Sequence, residues 1–262
     1  MKQIFYKEIL YGIRNQKFFI LMIVFVLLAI MTPLMMKYIL PELLFKNMMG
    51  LTELEIEDIL DLTQKGVFAS FLSDFLEIGT LVVCILLAPL IPSEYRQKTV
   101  LFTRLYDIKT KHQVLIKWVL YGLYVFLMGT ISIFICYTYT GVMFEFEISF
   151  NYLLRLIIFY GFFMSFVVSL LILIGSYMKK SVSTMIMTYA LVMILFGIGN
   201  LLKIDMYMPT GLMNLMAVTN ELDVMDYFIP AISSILVTIL ALVLAIKKIE
   251  HIDLESLGQK YA

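Results

Sequence analysis

The chain alternates six long apolar runs with short polar segments. The runs cover residues 18–36, 78–92, 118–144, 156–178, 182–202 and 227–246, and five of them are long enough to cross a bilayer as helices. The second is short. At 1.5 Å per residue it rises about 23 Å, less than the roughly 30 Å hydrocarbon core, so residues 75–77 are expected to complete it from outside. Pro89 and Pro92 are expected to kink its inner end. The first run carries no charge for 19 residues and lacks a small-x-small cleavage site, so it reads as an uncleaved span rather than a signal peptide.

Residues 1–17 have a different periodicity. Phe5, Tyr6, Ile9, Leu10 and Ile13 share one arc of a helical wheel, and Lys7, Glu8, Arg14 and Asn15 share the opposite arc. Such a helix lies in the membrane interface instead of crossing it. The segment 37–77, which contains the outer loop 38–77, holds eight acids and three bases. Within it Thr52 and Glu55 form a capping-box pair, with Ile56, Ile59 and Leu60 following at helical spacing, which predicts a short surface helix. Residues 208–220, with Pro209, Gly211 and the apolar Leu212, Met213, Leu215 and Met216, fit an outer segment that dips back into the bilayer.

Composition decides the class. Hydrophobic residues make up 61% of the 262, the mean hydropathy is +0.93, and only 15% are charged. A soluble fold could not bury so much apolar side chain. The expectation is an all-α polytopic membrane protein: an interfacial helix over 1–17, a six-span domain over 18–246 and a tail over 247–262. The net charge of zero points to no nucleic-acid partner. Cys84 and Cys136 lie inside apolar runs and read as small packing residues.

Charge placement gives orientation. The terminal segments, 93–117 and 179–181 hold fifteen of the twenty Lys and Arg and six of the twenty acids. Cytoplasmic loops carry such an excess of bases, so both termini and 93–117 are expected inside, with membrane lipid around the spans. Residues 93–117 are the strongest local feature. Arg96, Lys98, Arg104, Lys109, Lys111 and Lys117 oppose Glu94 and Asp107. Leu101, Leu105 and Ile108 recur at i, i+4, i+7, so a short helix there has one apolar and one basic face. Such a loop fixes topology, or docks a cytosolic partner.

Chemistry within the runs is sparse. As bounded above they contain no Asp, Glu, His, Lys or Arg, with Glu77 and Arg155 at outer edges and His112 and His251 in inner segments. Neither a proton relay nor a metal constellation is expected from that pattern. Asn200 and the small-residue series Gly161, Ser165 and Ser169 suit interhelical packing. The stretch 175–181 superficially resembles a phosphate-binding loop, but Lys180 stands where its second glycine is required.

Six spans with an interfacial N-terminal helix and a charged loop after the second span resemble the membrane subunit of a type-2 ABC exporter. The local match is Pro92, Ser93, Glu94, Tyr95, Arg96, Gln97, Lys98, Thr99, Val100, which is similar to that family's Glu-x-x-x-Gly-Thr segment. Lys117 is similar to the Gly-Lys that opens the third span. The chain departs with Lys98 for the glycine, Ile116 before Lys117, and Asp107-Ile108 where a proline is usual. The resemblance implies that 94–107 is a coupling helix seated in an ABC ATPase subunit. Glu94, Tyr95, Arg96, Thr99, Leu101, Arg104, Leu105, Asp107 and Ile108 would then form the partner-binding surface. It implies pairing with a second copy or a homologous permease. It also implies no catalytic residue or cofactor in this chain, because ATP and magnesium would sit on the partner. The expected function is ATP-driven export of an amphipathic peptide, antibiotic or lipid-like molecule from a bacterial cell. An ion-coupled secondary transporter or channel, and a non-transporting structural or sensory membrane protein, are the alternatives.

Overall fold

A computed structural model describes residues 2–47, 61–96, 110–178, 180–217 and 224–258. It is all-α, with no strand among the described residues. The helices are α1 (Lys2–Arg14), α2 (Lys17–Leu34), α3 (Leu40–Asn47), α4 (Gln64–Leu87), α5 (Pro92–Arg96), α6 (Thr110–Phe144), α7 (Phe150–Met178), α8 (Ser181–Leu202), α9 (Gly211–Ala217) and α10 (Val224–Gly258). Six stretches are long and apolar enough to cross a membrane: Lys17–Leu43, Gln64–Arg96, Thr110–Phe144, Phe150–Met178, Ser181–Leu202 and Phe228–His251.

Helix α7 is the hub, packing against α10, α6, α8, α9 and α4. Its Phe159, Tyr160, Phe163, Met164 and Phe166 are buried. A column of rings joins it to α2 and α4: Phe25 meets Phe75 edge-on at 4.8 Å, Phe71 stacks on Phe75 at 5.2 Å, and Tyr160 lies 5.5 Å from Phe75. Tyr160 also requires Gly129 on α6, because a Cβ there would stand 2.1 Å from its ring. Lipid offers helices no hydrophobic drive to associate, so close packing and interhelical hydrogen bonds hold the bundle together. Ser132 on α6 donates to the Phe25 carbonyl at 2.7 Å, and Ser234 on α10 to the Phe162 carbonyl at 2.9 Å. The small-residue series on α7 packs toward α6, with Phe126 against Gly161 and the Trp118 indole donating to the Ser165 carbonyl at 3.3 Å.

Three local outcomes differ from the pattern of apolar runs. First, α4 begins at Gln64, well before residue 78. Thr63 caps it by accepting from the Gly66 N–H, and Val67, Phe68, Phe71, Leu72, Phe75 and Leu76 then bury one face at helical spacing. Asp74 and Glu77 ride the other face, which is why this stretch scores as polar although it is helix. Glu77 therefore sits midway between Gln64 and Leu90, about 20 Å from each along the helix. Second, α1 turns most of its apolar arc outward, with Ile9 packed against the core. Phe5, Tyr6, Leu10 and Ile13 are exposed, while Glu8 and Gly12, on its other side, are buried. Third, Pro33 removes an N–H inside α2, and the helix widens to a π turn over Met35–Ile39 before continuing as α3.

The ends of the bundle are built differently. At one end Pro92 abuts Gly175, and Lys248 lies over the Tyr177 ring at 5.2 Å, so the exits of α4, α7 and α10 lie together. At the other, Gln64 is fully buried, accepting from the N–H groups of Glu147 and Ile148 at 2.6 and 2.9 Å and donating to the Tyr137 carbonyl at 3.3 Å. Helix α9 sinks Leu212, Met213 and Met216 among α7, α4 and α10, and Tyr152 bonds the Met216 carbonyl. The capping-box helix expected from Thr52 lies outside the described residues.

Candidate functional site

The most charged interior point of the described chain is at the first of these ends, where α1, α5 and α6 meet. Its geometry begins with two prolines. Helix α4 tightens into a 3₁₀ turn over Ala88–Leu90, and α5 restarts at Pro92. In an unbroken helix the Glu94 N–H would bond the Leu90 carbonyl. Here it bonds Ile91 instead, at 3.0 Å, which frees the Leu90 oxygen. The Lys117 ammonium, buried and arriving from α6, donates to that oxygen at 2.8 Å.

Four charges then alternate around Lys117. Its Nζ lies 2.9 Å from Glu94 Oε2 and 3.8 Å from Glu8 Oε1. Lys7 Nζ lies 3.4 Å from Glu94 Oε1 and 3.8 Å from Glu8 Oε1. Each carboxylate thus faces two ammonium groups. The Tyr121 hydroxyl donates to Glu8 Oε2 at 3.3 Å. The side chains of Lys117 and Glu8 are 3% and 4% exposed, Glu94 is 15% exposed, and only Lys7 reaches solvent, at 48%. Charges withdrawn this far from water persist only when paired and hydrogen-bonded, and this ring provides both. Lys17 stands beside it, buried, with its ammonium over the Tyr11 ring at 5.1 Å.

Helix α1 reaches the ring because the turn before α2 is sharp. Gln16 adopts a left-handed backbone (φ 55°), and Asn15 ties its side chain back to the Tyr11 carbonyl at 2.9 Å. A buried acid on α1 explains why its apolar arc faces out: lipid covers that arc, and the bundle accommodates the carboxylate.

Of the surface expected to meet a partner, Glu94, Tyr95 and Arg96 fall on α5. Glu94 turns inward to Lys117 and Lys7, Tyr95 packs against the core, and Arg96 is exposed. Thr99, Leu101, Arg104, Leu105, Asp107 and Ile108 lie outside the described residues. Sequence reading placed Glu8 and Lys7 on a water-facing arc and did not bring either to Glu94. The signal was there: Glu8 is the single acid among four bases in residues 1–17, and Lys117 opens the third run.

The ring contains no nucleophile and no open metal site, and among the described residues no group of three or more His, Cys, Asp or Glu could hold a metal ion. What it does is mechanical. Glu94 and Lys117 lie on either side of residues 97–109, so their ion pair fastens together the two helices that flank that segment, and Glu8 adds α1 to the joint. The second polar cluster lies at the far end, where Asn214 of α9 donates to Asn200 Oδ1 at 2.5 Å and to Asp205 Oδ2 at 3.0 Å.

Fold and joint together define a multi-pass, all-α membrane protein whose N-terminal helix is pinned by charge to the second and third spans. No family model, curated protein or solved structure matches this chain.

Proposed function

We propose that the chain is the permease subunit of an ATP-driven exporter in a bacterial cell membrane, with both termini cytoplasmic. It would work with a separate ABC ATPase subunit and a second permease, and carry amphipathic molecules outward. The observation that carries this reading is the Glu94–Lys117 pair, 2.9 Å apart, at the flanks of residues 97–109. A segment that receives a push from a partner must be joined stiffly to the helices it moves, and a buried ion pair at its base supplies that stiffness. The local resemblance of 92–100 to a coupling segment and the fifteen-to-five distribution of bases support the same reading.

The test is purification of the tagged chain from its native membrane. An ATPase should be retained, and its hydrolysis in nanodiscs should fall at least about tenfold in Glu94→Gln, the equivalent of about 1.4 kcal/mol in the rate-limiting state. Transport driven by an ion gradient in liposomes holding this chain alone would overturn the proposal.

That second reading, an ion-coupled transporter, is favoured by one observation. Asp74 and Glu77, one turn apart, place two carboxylates near the middle of α4, and ionisable groups within a span ordinarily mark a pathway. Transport without ATP would fall on these two residues.

A further inference from the structure

Beside Glu77 the bundle is open. Leu72 and Leu76 of α4, Phe196 of α8 and Met213 of α9 form the apolar walls of a cleft of about 170 Å³, with Ser73, Glu77 and Asn214 as polar groups in its lining. Glu77 is exposed, and no described residue bonds its carboxylate or pairs with it. The two amide hydrogens of Asn214 are committed to Asn200 and Asp205, so an acceptor oxygen is what this amide can offer a ligand. Glu77 and Asn214 therefore present two acceptors, one of them charged, and the Ser73 hydroxyl can donate or accept. An ionised carboxylate beside apolar walls is stabilised by a cation that brings its own N–H groups.

We propose that this cleft binds an amphipathic primary amine: an ammonium at Glu77, hydrogen-bonded also to the Asn214 amide oxygen, with an apolar body along Leu72, Leu76, Phe196 and Met213. The demand for N–H donors excludes quaternary ammonium ions as the preferred ligand. Uncharged lipids and anionic molecules are excluded by the carboxylate. The cleft's place on an export route rests on the proposed function above, and its ligand preference does not.

The experiment uses the full chain in phosphatidylcholine nanodiscs, without nucleotide, and the fluorescent amine dansylcadaverine as probe, with empty nanodiscs subtracted. Saturable binding is expected, at least about tenfold tighter than that of the N-acetylated probe and of its trimethylammonium analogue. Glu77→Gln should weaken amine binding at least tenfold and bring it level with the acetylated probe. Glu77→Asp should recover part of the loss, and Glu145→Gln, on the far loop, should change nothing. Thermal midpoints of the variants check that the fold is intact. Absence of saturable binding, equal binding of the neutral probe, or an unchanged Glu77→Gln would overturn the assignment. So would a Glu77-dependent proton flux by the lone chain with amine binding unaffected, which would make Glu77 a relay. The two proposals fail separately. Amine binding in a chain that retains no ATPase leaves the cleft and removes the exporter, whereas a retained ATPase without amine binding does the reverse.

Discussion

The two ends of the bundle are fastened by opposite means. At one end four full charges, three of them buried or nearly so, join α1, α5 and α6. At the other, neutral groups serve main-chain partners: Gln64 ties the 145–149 loop, Tyr152 ties α9, and Lys37, the exception in charge, donates to the Met143 carbonyl at 2.9 Å. Amide-to-backbone bonds hold one geometry. A charge ring holds its geometry strongly while complete and fails as a unit when one member is lost, because what remains is an unpaired buried charge. That contrast sets an end whose joint can be undone as a unit against an end that keeps its loops in place.

Lys117→Met should break the comparison most severely. It leaves Glu8 and Glu94 facing each other with only the half-exposed Lys7 for a cation, and breaking a buried pair this way costs about 3–5 kcal/mol. Thermal unfolding followed by size-exclusion chromatography should show the loss. Adding Glu94→Gln to it should restore part of the stability, since the orphaned carboxylate is then gone. If the double variant is less stable than Lys117→Met by the full effect of Glu94→Gln alone, the ring is not a cooperative unit.

Gln64→Leu should come next. It strips partners from two N–H groups of the 145–149 loop, at about 1–3 kcal/mol for each buried group left unsatisfied. Proteolysis between α6 and α7 should accelerate while thiol crosslinking of Glu8→Cys to Lys117→Cys stays as in the Gln64 background. Faster cleavage with altered crosslinking would mean the two ends are coupled rather than independent.

Tyr121→Phe removes one hydrogen bond to Glu8, in a ring that keeps its charges, and should cost about 0.5–1.5 kcal/mol in the same thermal assay. Lys7→Ala should be the mildest. Half of that side chain is in solvent, so screening reduces its contribution to below about 1 kcal/mol, and the effect should shrink further as salt is raised. A Lys7→Ala loss as large as that of Lys117→Met would show that exposure does not rank the members of the ring.

Orientation can be read beside these. Lys111→Cys should resist a membrane-impermeant thiol reagent added outside intact cells, and Glu145→Cys should react. The reverse pattern would exchange the ends and move the charged joint away from the cytoplasm.

What the sequence determined by itself is the class of the molecule and the location of its spans. Those follow from hydropathy summed over some twenty neighbouring residues, a local quantity that lipid enforces on every span alike. The prolines that break the end of α4 were equally local, whereas its start at Thr63 was not read from the pattern. The tertiary structure decided which faces look inward. An amphipathic pattern says that two faces differ, and in water the apolar one would be buried. Around a membrane bundle lipid takes the apolar face, so α1 turns Phe5, Tyr6, Leu10 and Ile13 outward and Glu8 in. The meeting of Glu8, Glu94 and Lys117, and the position of Glu77 midway along α4, likewise depended on contacts and helix lengths spanning most of the chain. No periodicity carries that information, because the residues concerned are brought together only when α1, α4 and α6 pack.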